Sequence, residues 1–268
     1  MPGDFRTLLI HLPAWLMVLF RFSGIFIFAP VFGSTAVFRQ VKVYLAVGMS
    51  LCVYPMLLDP ERPSAAMIAP VLDGGLSLWT LGAAVGLELL IGLVIGFVAS
   101  LPLIGLQVGG QVIDQQLGLG LAGVFNPELG EQTGMVGQFM FITALAVFVL
   151  LGGHRVMFAV LLGSFDHVPL GGFNEFEPML VMIIGVLHAS FELALRLAAP
   201  LLCLIFLQTV AMGFIARTVP QINILSIGFP MRTLTGAMLL FLFIGVGLQI
   251  YADSVRNMLG QLMRFFTG

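Results

Sequence analysis

Apolar residues along this 268-residue chain gather into six blocks, roughly 8–29, 43–58, 76–106, 136–162, 179–215 and 234–251. Polar or turn-rich segments at 30–42, 59–75, 107–135, 163–178 and 216–233 separate them. Blocks of this length and character predict membrane helices. Two are too long for a simple crossing. Block 76–106 has 31 residues and block 179–215 has 37, which as helices are roughly 46 Å and 55 Å long, whereas a bilayer needs about 20 residues. Each is expected to kink, break into a hairpin or leave the hydrocarbon, with Pro102 and Pro200 as break points.

The charges between the blocks do not alternate. Segment 30–42 carries Arg39 and Lys42, and 216–233 carries Arg217 and Arg232. Between them lie three acid-rich segments: Asp59, Glu61 and Asp73 with a lone Arg62; then Asp114, Glu128 and Glu131; then Asp166, Glu175 and Glu177. Basic loops on alternate sides mark a regular multi-pass topology, so hairpins that do not fully cross fit better. The opening MPGDFRTLLIHLPAWLMVLFRF has an acid at Asp4, Arg21 within the apolar run and no small-residue cleavage site. It reads as a retained first helix rather than a signal peptide.

Composition settles the class. Hydrophobic residues make up 59% and charged residues 9%, and mean hydropathy is +1.10. A soluble fold of this size could not hide so much apolar surface, so the chain is expected to be an all-α integral membrane protein. A net charge of −2 with scattered basic residues gives no footprint for nucleic acid. Cys52 and Cys203 show no metal or redox spacing and read as small buried hydrophobes.

Arg21, Glu88, Glu192 and Arg196 lie within apolar blocks. None can cheaply face lipid, so each is expected to face protein or a watery cavity. Glu192 and Arg196, four apart with the acid first, suit a local helical ion pair; a proton or ion relay is the alternative. In LELLIGLVIGF, Glu88 shares a helical face with Gly92 and Gly96, while Gly82 and Gly86 form a second small-residue face. Packing within the chain and packing between subunits both fit, and the latter would put Glu88 in an interface.

No catalytic or cofactor constellation appears. His11, His154, His167 and His188 are isolated, and neither a nucleophile elbow nor a phosphate loop is present. No enzyme activity, cofactor or metal is expected.

The irregular stretches carry the remaining information. LELLIGLVIGF is followed by GGQVIDQQLGLGLAGVFNPELGEQTGMVGQF, GGHRVMFAVLLGSF, HVPLGG and LQTVAMGFIARTVPQINILSIGFPMR. In this order and spacing the chain resembles the FliR family of flagellar type III export-gate proteins and their counterparts in virulence type III secretion. The resemblance covers almost the whole chain, and its most specific parts are VFNPELGEQ and RTVPQINILSIGFP. The GFP of the second motif looks more like the flagellar branch.

The resemblance implies a non-enzymatic channel subunit in the bacterial inner membrane, at the flagellar basal body. It implies helical hairpins, with a FliP-like portion over 1–175 fused to a FliQ-like hairpin over 176–268. Its partners would be FliP-type and FliQ-type subunits in one gate, FlhB-type and FlhA-type components, membrane lipid and, transiently, unfolded flagellar export substrates. It also implies a pore plug at about 118–137. The positions are Gly118, Gly120, Leu121, Gly123, Val124, Phe125, Asn126, Pro127, Glu128, Gly130, Gly134 and Met135, with Gly137 closing the segment. Irregular backbone at membrane depth is tolerated only in protein or beside water; the glycines give freedom, Pro127 interrupts a helix, and the apolar side chains could seal by dewetting. A plain surface loop is the competing reading. Asn126 stands where the family often has Asp, so a negative charge there is not required. Segment 217–232 reads as the turn of the C-terminal hairpin, through Arg217, Pro220, Gln221, Asn223, Gly228, Phe229, Pro230 and Arg232. Arg232 stands where the family often has Lys. An injectisome gate subunit, a small-solute secondary transporter using Glu88 or Glu192/Arg196, and a scaffold without pore contact are the competing functions.

Overall fold

A computed structural model of the chain describes residues 3–34, 37–65, 68, 77–118, 134–173, 176–218 and 224–267. Seven long helices occur among them: α1 Gly3–Phe28, α2 Arg39–Leu57, α3 Leu78–Leu117, α4 Met135–Leu150, α5 Gly153–His167, α6 Phe176–Thr218 and α7 Ile224–Thr267. Five are long and apolar enough to cross a membrane, and α4 with α5, bent by 62° at their junction, makes up to six. The chain is an all-α integral membrane protein.

The long blocks do not break where proline suggested. Pro102 lies inside the 40-residue α3 and Pro200 inside the 43-residue α6. Proline removes one backbone hydrogen bond. Unwinding in apolar surroundings would leave several more groups unpaired, so both helices continue. The segment expected to be polar from 107 is helical to Leu117. The break that does occur is at Gly152, in block 136–162, which reads as one apolar block by sequence. Its φ of +71° is a left-handed conformation that glycine adopts at low steric cost.

The chain forms two compact units. One comprises 1–100, 152–187 and 257–268; the other comprises 101–151 and 188–256. In the first, α1 and α3 cross at glycines. A Cβ at Gly92 would collide with the Arg21 carbonyl, and one at Gly96 would lie 2.8 Å from the Ile25 carbonyl oxygen. This is the close backbone approach that small residues permit in apolar surroundings. His11 Nδ1 and the Tyr54 hydroxyl, 2.8 Å apart, tie α1 to α2. In the second unit, Ile113 and Leu117 of α3 pack with Ala198, Leu201 and Ile205 of α6, flanked by Met140 of α4 and Leu240 of α7.

The second glycine face behaves differently. Gly82 and Gly86 meet nothing. Gly92→Ala is therefore expected to lower the melting temperature of the detergent-solubilised chain by several degrees, because the helices must separate. Gly82→Ala should leave it unchanged or raised, since alanine is the better helix former by about 1 kcal/mol. Equal effects at both positions would contradict this packing.

Burial is uneven. The most apolar window of α3 is 67% buried, whereas those of α2 and α6 are 17% and that of α7 is 6% buried. Cys52 and Cys203, expected inside, are exposed on α2 and α6. The surface around them is itself apolar, with Leu51 and Leu204 also exposed, so a small apolar side chain needs no interior there.

Candidate functional site

Three clusters gather the residues singled out by sequence. The first is a buried ion pair in the first unit. Arg21 of α1 and Glu88 of α3 are both wholly buried, with Arg21 Nε donating to Glu88 Oε2 at 2.5 Å. Arg21 Nη1 donates to Ser164 Oγ of α5 at 3.0 Å, and Nη2 makes a long contact with the Val168 carbonyl oxygen. The Ser164 hydroxyl spends its proton on the Leu161 carbonyl, so its lone pairs are open to arginine. The guanidinium carbon sits 4.3 Å from the centre of the Phe165 ring, within cation–π range. Glu88 Oε1 accepts from the Gly171 N–H at 2.8 Å. Gly171 has φ +70°, and a Cβ there would press on Ala84. Four segments thus converge on two charges. Both oxygens of Glu88 are satisfied within the chain.

The second cluster lies in the second unit, at the ends of the glycine-rich segment. Helix α3 closes at Gly118, which has φ +76°, and α4 opens after Gly134, whose lack of a side chain leaves its first turn without a local cap. The cap comes from elsewhere. Asp114, 2% exposed, accepts from the Val136 N–H at 3.1 Å and the Gly137 N–H at 2.8 Å. These are donors a helix start leaves unpaired, and the positive end of the helix dipole favours the carboxylate. A Cβ at Gly134 would strike that carboxylate, and one at Gly110 would lie 2.7 Å from Gly137 Cα. Asp114, four residues before Gly118, therefore binds residues just beyond Gly134 and clamps both ends of the segment. Gly120, Leu121, Gly123, Val124, Phe125, Asn126, Pro127, Glu128 and Gly130 lie outside the described residues. Met135 is 80% exposed at the start of α4.

The third cluster is the C-terminal pair of helices. Glu192 and Arg196 form the expected ion pair at 2.5 Å, but both are exposed rather than inside. Arg217 ends α6. Gly228, Phe229, Pro230 and Arg232, expected in the turn, belong to α7. The reason is that of Pro102 and Pro200: one lost hydrogen bond does not stop the helix. Pro220, Gln221 and Asn223 lie outside the described residues. Arg232 Nη2 reaches back to Thr209 Oγ1 at 3.0 Å.

Sequence reasoning missed Asp114, Ser164 and Gly171 as partners. Only Asp114 left a trace: a helix beginning at Gly134 with no Ser, Thr, Asp or Asn to cap it implies an acceptor from elsewhere.

Residues 12–258 match the family described as Bacterial export proteins, family 1. The chain is 27% identical over 237 residues to the flagellar biosynthetic protein FliR of Bacillus subtilis, covering 87% of each chain. It is 28% identical over 232 residues to the protein of the same name from Buchnera aphidicola, covering 87% of this chain and 84% of that one. It is 27% identical over 231 residues to the Yop proteins translocation protein T of Yersinia pestis, covering 85% and 84%.

Proposed function

Because the chain belongs to the bacterial export proteins, family 1, we propose that it is a non-enzymatic channel subunit of the flagellar type III export gate. In this reading it forms part of the pore through which unfolded flagellar proteins cross the bacterial inner membrane at the basal body. The observation that carries the proposal is the likeness to FliR proteins along most of the chain. The bare apolar faces of α2, α6 and α7 support a subunit rather than a lone channel, since such faces need lipid or protein against them. FliP-type and FliQ-type subunits are the proposed neighbours, with an FlhB-type component wrapped outside them and an FlhA-type component as a further partner. Residues 1–175 are proposed as the FliP-like portion and 176–268 as the FliQ-like hairpin. Segment 118–137 is proposed as the plug of the closed pore. Sealing there would rest on bulk, glycine freedom and apolar side chains, with no charge required at Asn126.

The reading is tested by tagging the chain and extracting it in mild detergent. FliP-type and FliQ-type proteins should accompany it, and a lone monomer would overturn the proposal. Deleting about ten residues around Asn126 should raise ion leakage through the assembled gate, and unchanged conductance would remove the plug. Cysteines at 121–128 should cross-link to a stalled export substrate. The Yersinia relative favours a second reading, an injectisome gate subunit, which the identity of the co-purified partners decides.

A further inference from the structure

Within the second unit, α6 and α7 share a charge-free belt. Residues 197–216 and 233–252 contain no Asp, Glu, Lys or Arg. With Gly247 beside Leu197, the antiparallel stretches overlap over about fifteen residues, about 22 Å of helix, most of the thickness of a bilayer's hydrocarbon core. The Arg232–Thr209 hydrogen bond and the approach of Gly247 to Leu197 set the two stretches side by side. Arg217 and Arg232 border the belt at one end. The exposed pairs Glu192–Arg196 and Asp253–Arg256 border it at the other.

A cleft of about 160 Å³ opens within this belt. Its lining includes Leu106 of α3, Met140 and Thr143 of α4, Leu201 of α6, and Leu240 of α7, and Arg196 is its one charged residue. Phe139, Phe243 and Val246, which also line it, are partly exposed, so it is reached from the side, where lipid chains would lie. Apolar cavities of this size stay dry and take apolar guests.

We propose that this cleft is a binding site for an ethanolamine phospholipid. One acyl chain fills the cleft, the phosphate sits on Arg196 and the ammonium on Glu192. The match is in charge and in order. Arg196 adjoins the belt and Glu192 lies one turn further out, about 6 Å along the axis. In the headgroup the phosphate is likewise nearer the chains and the amine further out. Arg196 Nη2 donates to Glu192 Oε1, which leaves the other N–H donors of the guanidinium for phosphate oxygens. A glycerol headgroup offers Glu192 no cation, and a choline headgroup offers it no N–H donor.

The full chain, purified in mild detergent, is mixed with equal amounts of phosphatidylethanolamine, phosphatidylglycerol and phosphatidylcholine of identical chains, and retained lipid is read by native mass spectrometry. The ethanolamine lipid is expected to exceed each of the others by about twofold to fivefold, the range for one exposed charge pair. The swap Glu192→Arg with Arg196→Glu should abolish that preference while lipid is still retained. Thr143→Phe, or Leu240→Trp should the first not fold, fills the cleft and should reduce retention of all three. Free phosphoethanolamine should not compete, because it has no acyl chain. Equal retention of the three lipids would overturn the proposal, as would a photo-cross-linker at Thr143 that captures a polypeptide instead of phospholipid in the membrane-embedded assembly.

Discussion

Replacing Arg21 by alanine is expected to destabilise the folded chain by about 3–5 kcal/mol, the range for a buried ion pair that loses one partner. The loss comes less from the missing attraction than from what remains. Glu88 would stay wholly buried with only the Gly171 N–H against it, and Ser164 would lose the guanidinium donor. Steady-state level in membranes and thermal unfolding in detergent should both fall sharply. Arg21→Lys should rescue little, because a point ammonium cannot serve Glu88, Ser164 and the Phe165 face together. The double variant Arg21→Met with Glu88→Gln should be clearly more stable than Arg21→Ala, since it removes both charges and leaves an amide oxygen for Gly171. A double variant no better than the single one would show that the unpaired carboxylate is not the cause. A secondary transporter using Glu88 as its site predicts a different result. There the chain would fold normally and only transport would be lost.

What the sequence revealed depended on the distance between interacting residues. Glu192 and Arg196 were legible as a pair because a helix places residues four apart on one face. Arg21 and Glu88 were legible only as charges that must avoid lipid, because the partners are 67 positions apart and no local rule joins them. Gly92 and Gly96 were legible as a packing face, but Arg21 and Ile25 of α1 beneath it were not. Helix ends were read worst. Pro102, Pro200 and Pro230 were given too much weight, because breaking a helix exposes backbone that apolar surroundings cannot satisfy. Gly152 was given too little: GGHR at 152–155 is a glycine-and-charge signal for a helix break inside an otherwise apolar block. Membership of the export-protein family was legible through motifs, while the geometry that would hold a plug was not, since its anchor Asp114 lies before the 118–137 segment and no local rule joins it to Val136 and Gly137.

That anchor leads to the second large effect. Asp114→Ala is expected to release the start of α4 and, if the gate is assembled, to let ions through the closed pore. Two hydrogen bonds to a charged group are lost, each of about 1.5–3 kcal/mol. No local side chain replaces them, because position 134 is glycine and must be so for the carboxylate to approach. Amide exchange at Val136 and Gly137 reads the clamp directly and should accelerate by at least about tenfold, the factor that 1.4 kcal/mol represents. Asp114→Asn keeps one acceptor oxygen and should fall between. Gly134→Ala should mimic the alanine variant from the other side, by pushing the carboxylate off its donors. The two readouts separate two claims. Unchanged exchange in Asp114→Ala would mean that the cap does not hold α4. Faster exchange with no rise in leakage would keep the clamp but show that the segment between Gly118 and Gly134 does not seal the pore.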